Sequence, residues 1–401
     1  MSSVTAGGKV ASADAPSVLK RFATSPTLQG SLTTIAFLLL FVGYWIWLGD
    51  TFVNVDARLL DVHQNAPILV LGLAVMVTLI AGQFDLSVGG MCTLTTFLSI
   101  GLVVDKDWAF GMVLAACILA GLVGGLINGL LVVKLGVNTF IATLGTGGVF
   151  LGISNVLFGG TQLAPTEKSP QLPTWFTGDG SLGSFGEKFP SIIVWIGLAA
   201  CAYGLFRWIQ ARRPEGRTAS SWTVVSAAIT VVIAAILFAL NLPAWVNGVS
   251  VTIGVLALIG LILWVVLRYT TYGRYLYATG ANPEAARLAG VKTDRETITA
   301  FVIGGLLAAT AGVLLAANQG AASPDIGTGF LLPAFAAAFL GTVIMSTGRF
   351  HVWGTLIGGT FLVWVTQGLI VGGVPFTWTD VINGVVLVAA VAVSTIFRRR
   401  A

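Results

Sequence analysis

The stretch from Ala66 to Val104 constrains this chain most, because it runs for 39 residues with a single charge, Asp85, near its middle. As one straight α-helix it would be roughly 58 Å long, nearly twice the ~30 Å hydrocarbon thickness of a bilayer. A lone carboxylate at the centre of a lipid-facing helix costs about 2.5–3.5 kcal/mol on insertion scales. The run is therefore expected to fold back on itself at Asp85 and to turn that carboxylate towards protein or water. Similar runs recur along the chain, which is 56% hydrophobic and only 9% charged, with a mean hydropathy of +0.92. An ordinary soluble domain carries about 25% charged residues, so most of this chain's solvent is lipid.

At about 20 apolar residues per crossing, the sequence reads as an all-α, polytopic transmembrane helical bundle of about 12 spans with broken helices. The spans fall near 31–49, 66–84, 87–104, 108–133, 138–158, 190–207, 221–241, 246–267, 298–316, 331–346, 353–372 and 378–397. Orientation follows from the basic residues, which played no part in drawing the spans. With the N-terminus inside, 17 of the 21 Lys and Arg fall on inner segments, leaving only Arg58, Lys106, Lys168 and Lys188 outside. That asymmetry is the positive-inside signature and places both the N- and C-termini in the cytoplasm. Residues 1–30 read as a disordered cytoplasmic tail, 31–397 as the transmembrane domain and 398–401 as a basic cytoplasmic end. The first apolar stretch, preceded by Lys20 and Arg21, imitates a signal peptide, but no small-residue cleavage site follows and it reads as an uncleaved anchor.

Several function classes drop out. The net charge of +5 does not imply nucleic acid, since the basic residues sit at the ends of apolar runs and form no stripe. Cys92, Cys117 and Cys201 lie inside apolar runs and read as packing residues. His63 and His351 are isolated, with no metal-ligand spacing, no nucleophile triad and no paired carboxylates, so neither a catalytic nor a metal site is expected. The phosphate loop Gly-x-x-x-x-Gly-Lys-Ser/Thr is missing, so ATP hydrolysis by that chemistry must come from elsewhere.

Three segments outside the spans carry information. The outer loop 159–190, with Trp175 and Phe176 as apolar points, is either a connector or a docking surface. A short amphipathic piece from Phe52 to Gln64 is expected along the outer surface. The longest cytoplasmic connection, 269–297, contains Asn282-Pro283-Glu284-Ala285-Ala286-Arg287-Leu288-Ala289-Gly290. Here Asn282 can cap the free amides, Pro283 suits the first helical position and Glu284 complements the positive end. Arg287 lies towards the negative end and Gly290 can take the left-handed stop. The expected product is a two-turn helix presenting Ala285, Ala286 and Leu288 as an apolar knob, which packs against another part of the chain or a partner protein.

Polar groups within the spans mark a candidate hydrophilic route. Asp85, followed by Leu86-Ser87-Val88-Gly89, either caps the restarting helix or touches what passes. Ser87, Asn128, Asn138, Thr143 and Gln367 are the other path candidates, with Asn155, Gln319 and Trp364 behind them. Each could equally hold two helices together.

Three motifs, in order, carry a family resemblance. Gly82-Gln83-Phe84-Asp85-Leu86-Ser87-Val88-Gly89 is similar to a Gly-Gly-Ile-Asp-Leu-Ser-Val-Gly break. Asn128-Gly129-Leu130 leading to Asn138-Thr139-Phe140-Ile141-Ala142-Thr143-Leu144-Gly145 is similar to Asn-Gly…Pro-Phe-Ile-x-Thr-Leu-Gly. Gly273-Arg274-Tyr275, Ala278-Thr279-Gly280, Asn282, Ala285-Ala286-Arg287 and Gly290-Val291 resemble a cytoplasmic coupling segment. Together they resemble the permease subunits of ribose- and xylose-type ATP-binding-cassette importers, over roughly residues 50 to 397. Gln83 and Asn138 depart from the family's usual Gly and Pro. An extra helical pair near 205–250 resembles the longer xylose-type subset. The resemblance implies a multi-pass permease of the bacterial plasma (inner) membrane that imports a monosaccharide. It also implies a second permease copy, a pair of cytoplasmic ATPases that hold the ATP and Mg, and an extracytoplasmic sugar-binding protein. An ion-coupled carrier using Asp85 is the alternative the residues admit.

Overall fold

The computed structural model describes residues 39–177, 182–211, 225, 241–344 and 349–398. Among them all regular structure is helical, with two isolated β-bridges, Leu163 to Ala322 and Lys188 to Ser250. The helices are α1 (Leu39–Leu48), α2 (Asp50–Val53), α3 (Val55–Gln64), α4 (Ala66–Ile80), α5 (Val88–Val104), α6 (Phe110–Val133), α7 (Thr139–Phe158) and α8 (Ser191–Ala211). There follow α9 (Leu242–Asn247), α10 (Val251–Tyr269), α11 (Thr271–Ala281), α12 (Pro283–Leu288), α13 (Thr293–Gln319), α14 (Leu331–Ile344), α15 (Val352–Val371) and α16 (Thr379–Arg398). Five of these, α6, α7, α10, α13 and α15, are long and apolar enough to cross a membrane, and a sixth span arises if α3 and α4, bent by 54° at their junction, are taken together. Shorter apolar helical stretches, Leu39–Leu48, Val88–Val104, Ser191–Gly204, Thr328–Val343 and Phe376–Ala392, stand where other crossings were expected. The expected span 221–241, most of the extra helical pair and the terminal tail lie outside the described residues.

The run Ala66–Val104 folds as α4, a break and α5, as its length demands. The first helix stops at Ile80, earlier than expected, because Gly82 turns into the left-handed region at φ +78°. Its N–H reaches Leu79 O at 3.0 Å while Gln83 N reaches Thr78 O at 2.9 Å, closing the orphan carbonyls of the last turn. The connection 269–297 is almost wholly helical, made of α11, α12 and the first turn of α13, and it contains the expected short helix. Thr270 starts α11 by accepting from Gly273 N at 3.4 Å, and Asp294 and Glu296 favour the positive end of α13.

α13 is the hub, packed against α4, α5 and α6, while α14 packs on α15, α16 and α4. α4 is buried nearly all round, as suits a helix apolar on every face. By contrast α6, α7 and α10 turn Ile118, Leu119, Leu144, Val156, Leu258 and Ile262 outward, a surface that only lipid or another apolar body covers at no cost. Between α6 and α13 the backbones meet along Gly121, Gly125 and Gly129, spaced four apart on one face. A Cβ at Gly121 would stand 2.7 Å from Gly305 O, and one at Gly125 would overlap Phe301 O.

The short helix α3 is tied in more closely than a helix resting on the surface. His63 is 2% exposed, its Nδ1 2.8 Å from Ser250 Oγ and its Nε2 2.9 Å from Gly183 O. Asn318 Nδ2 donates to His63 O at 3.0 Å and Trp364 Nε1 to Arg58 O at 3.1 Å, so α13 and α15 both hold α3. Arg58, itself buried, pairs with Asp61 at 3.1 Å and sits 4.3 Å over the Phe52 ring. The outer loop is partly anchored too. Phe176 is fully buried in a small second core with Phe97, Phe158 and Leu172, while Trp175 remains half exposed.

Candidate functional site

The break between α4 and α5 brings the polar residues together. Asp85 is 1% exposed, and its Oδ1 accepts from Ser87 N at 2.9 Å and Ser87 Oγ at 2.6 Å. Thus Asp85 closes the turn that launches α5, in the manner of a cap. Asn128 of α6 donates from Nδ2 to Ser87 Oγ at 2.7 Å, and Thr146 of α7 donates to Asn128 Oδ1 at 2.6 Å. Thr143 of α7 donates to Phe84 O at 3.3 Å and to Thr139 O at 2.8 Å, and Thr139 donates to the Gln83 side chain. Two helices, α6 and α7, are thereby laced to the break, with Gly147 of α7 lying over the Ser87 backbone.

Four sequence-predicted path residues, Asp85, Ser87, Asn128 and Thr143, share this web. Two do not. Asn138 is exposed and caps α7 by accepting from Phe140 N at 3.0 Å, which is the local chemistry of Asn before a helix. Gln367 is half-buried on α15, outside the web. Of the remaining candidates, Asn155 and Gln319 are exposed, and Trp364 is taken up with Arg58 O. Thr146, Thr139 and Gln83 were missed. A signal existed for the threonines, since 139, 143 and 146 follow helical spacing and share one face. Replacing Asp85 by Leu leaves the Ser87 N–H and hydroxyl without their acceptor, and is expected to destabilise the protein by about 1–3 kcal/mol. Asp85→Asn keeps that acceptor and should unfold in detergent within a degree or two of the parent. Equal melting of the two variants would remove the capping role.

The second element is the short helix α12, which stands out from the chain as a peg. Asn282 Oδ1 accepts from Ala285 N at 3.0 Å, Pro283 sits in the first turn and Gly290 stops the helix at φ +84°. The expected knob of Ala285, Ala286 and Leu288 needs correction. Ala286 is 6% exposed and Leu288 87% exposed. Positions two apart on an α-helix point about 200° away from each other, so Ala286 faces the chain's own α11 and α13 while Leu288 and Ala285 face outward with Glu284. Arg287 sits in the last turn, near the negative helix end as expected, and also anchors the peg: its Nε donates to Thr293 Oγ1 at 2.7 Å and Nη2 meets Asp294 Oδ1 at 2.9 Å. Directly before the peg, Gly280 of α11 presses on the end of α4 so closely that a Cβ there would overlap the Ile80 carbonyl oxygen. Peg and break are therefore one contact apart.

Comparison with known proteins agrees with this arrangement. The family described as branched-chain amino acid transport system / permease component matches residues 62–391. The xylose transport system permease protein of Haemophilus influenzae is 29% identical over 327 residues, covering 81% of this chain and 85% of that protein. The ribose import permease protein of Escherichia coli is 27% identical over 374 residues, covering 93% and 96%. The autoinducer 2 import system permease protein of Escherichia coli is 26% identical over 332 residues, covering 82% and 76%. No solved structure matches. With four-fifths of its length inside one family, and relatives aligned nearly end to end, the chain belongs to that permease family, as a multi-pass inner-membrane permease of the kind that serves ATP-binding-cassette importers of monosaccharides.

Proposed function

We propose that this chain forms the translocation path for a monosaccharide, a xylose-type pentose first among the candidates, in an importer driven by two cytoplasmic ATPases. The observation that carries the reading is the peg: a self-capped helix, seated by Ala286 and Arg287, that holds Leu288 out into the cytoplasm beside Ala285. In this reading Leu288 enters a groove on the ATPase, which holds the ATP and Mg. Closure of the ATPase pair moves α12, Gly280 transmits the displacement to Ile80, and the Asp85 break with its web shifts between outward and inward exposure.

The rest of the assembly follows the same reading. A second permease copy faces the first across α7, whose outward Gly145, Gly148 and Gly152 have open space beside them. Thr143 and Thr146, on the other side of that helix, belong to the web. An extracytoplasmic sugar-binding protein delivers substrate to the outer loops, where Trp175 is exposed. Twelve crossings with both termini in the cytoplasm complete the topology. The pentose assignment is supported by the xylose-type relatives and by the chain's extra length near 205–250.

Leu288→Glu tests the reading. A buried apolar anchor of a docking surface contributes about 2 kcal/mol or more, so association with the ATPase should weaken about thirtyfold while membrane insertion is unchanged. Co-purification and ATP-dependent uptake in vesicles read both. Full uptake by Leu288→Glu, or uptake by the chain alone driven by an ion gradient, would remove the importer role. Titrating the binding protein with a panel of pentoses and hexoses decides the sugar.

A further inference from the structure

At the root of the peg a groove of about 640 Å³ opens to the cytoplasm between the end of α6 and the start of α13. Four cationic side chains line it, Lys134, Arg287, Lys292 and Arg295, against one carboxylate, Asp294. Asp294 is already shared, with Arg287 at 2.9 Å and Lys134 at 3.6 Å. The lining thus carries a formal excess of three positive charges. It also has an apolar floor in Val291 and Ile298. One turn before and one residue after Lys134, Leu130 and Leu135 are 40% and 71% exposed.

We propose that this groove holds the phosphate of an anionic phospholipid headgroup. Depth favours a lipid: Lys134 directly follows the last residue of a span, and α13 enters its apolar stretch at Ile298, so the groove lies at the cytoplasmic edge of the hydrocarbon. Charge favours an anion, since basic pockets between transmembrane helices on this side attract acidic headgroups. Composition favours an amphiphile, with the phosphate among Lys134, Lys292 and Arg295 near the positive end of α13 and an acyl chain along Leu130 and Leu135. The lipid would brace the Arg287–Asp294 anchor that seats the peg. The assignment does not depend on which solute the chain transports.

The test uses the full-length chain in nanodiscs of equal parts phosphatidylglycerol and phosphatidylcholine, with retained lipid counted by native mass spectrometry. The triple variant Lys134→Gln, Lys292→Gln, Arg295→Gln leaves Arg287 and Asp294 in place and is expected to lose one retained phosphatidylglycerol, with affinity falling about fivefold per charge removed. The single Lys292→Gln, should the triple variant fold poorly, is expected to show one such fivefold step. The double variant Arg268→Gln, Arg274→Gln, exposed cations on the same side, should retain lipid as the parent does. Equal loss in that control reduces the effect to general surface attraction and overturns the site. So does unchanged retention in the groove variants, retention of phosphatidylcholine in place of phosphatidylglycerol, or displacement of the lipid by millimolar inorganic phosphate.

Discussion

Replacing Gly125 by leucine is expected to collapse the yield of folded protein, the largest effect of any single substitution considered. The α6 and α13 backbones meet there with no room for even a Cβ, which would overlap Phe301 O, and Gly121 and Gly129 continue the same face towards Gly305 and Ile298. Overpacking a core usually costs about 1–3 kcal/mol because side chains yield. Here the obstacle is main chain on the hub helix, so the cost should reach or exceed the top of that range. Membrane helices gain little by hydrophobic burial against one another and depend on such close packing. Gly111→Leu, on the same helix, is the matched control, since Gly111 is exposed and has open space around it. Fluorescence-detected gel filtration after heating would separate the two, and equal melting of both variants would show that the α6–α13 crossing can splay.

Gly280→Val carries the second large effect, on function as well as on stability, since the obstacle is again main chain. The residue stands between the peg and the break, its Cα side against the Ile80 carbonyl at the end of α4. A branched side chain there must push α11 and the end of α4 apart, separating the peg's motion from the Asp85 web. Uptake is expected to fall at least about tenfold, the effect of losing ~1.4 kcal/mol of coupling between the two elements, while the variant still binds its ATPase through Leu288 and still hydrolyses ATP. Substrate-stimulated hydrolysis measured beside uptake distinguishes this outcome from misfolding. If uptake and hydrolysis stay in step, transmission runs elsewhere, and the contacts between α12 and α13 become the candidate route.

Much of this was legible in the residues because the governing rules act over short distances. The break at Asp85 follows from the length of one apolar run, and the peg follows from a cap, a proline and a glycine in order. Six members of the web, Gln83, Asp85, Ser87, Asn128, Thr139 and Thr143, lay in the quoted motifs, and only Thr146 fell outside them. What could not be read needed the third dimension. Ala286 and Leu288 look alike in sequence, yet helical phase sends one inward and one outward. Arg287 does lie at its own helix end, but its bonds to Thr293 and Asp294 depend on how the chain turns into the next helix. Asn138 and Gln367 were singled out by residue type, and type does not tell which polar groups a single web will gather. The Gly280–Ile80 contact joins positions 200 residues apart in sequence, beyond the reach of any periodicity.

The web around Asp85 has one further property. Ser87, Asn128, Thr139, Thr143 and Thr146 each spend a proton inward, on one another, on the carboxylate or on the backbone. A polyol sliding past would find these protons already taken and few new grips, so its hydroxyls would stay loosely held. On the proposed translocation role, hydroxyls already bonded within the protein offer a passing sugar little friction, which suits release of cargo on every stroke.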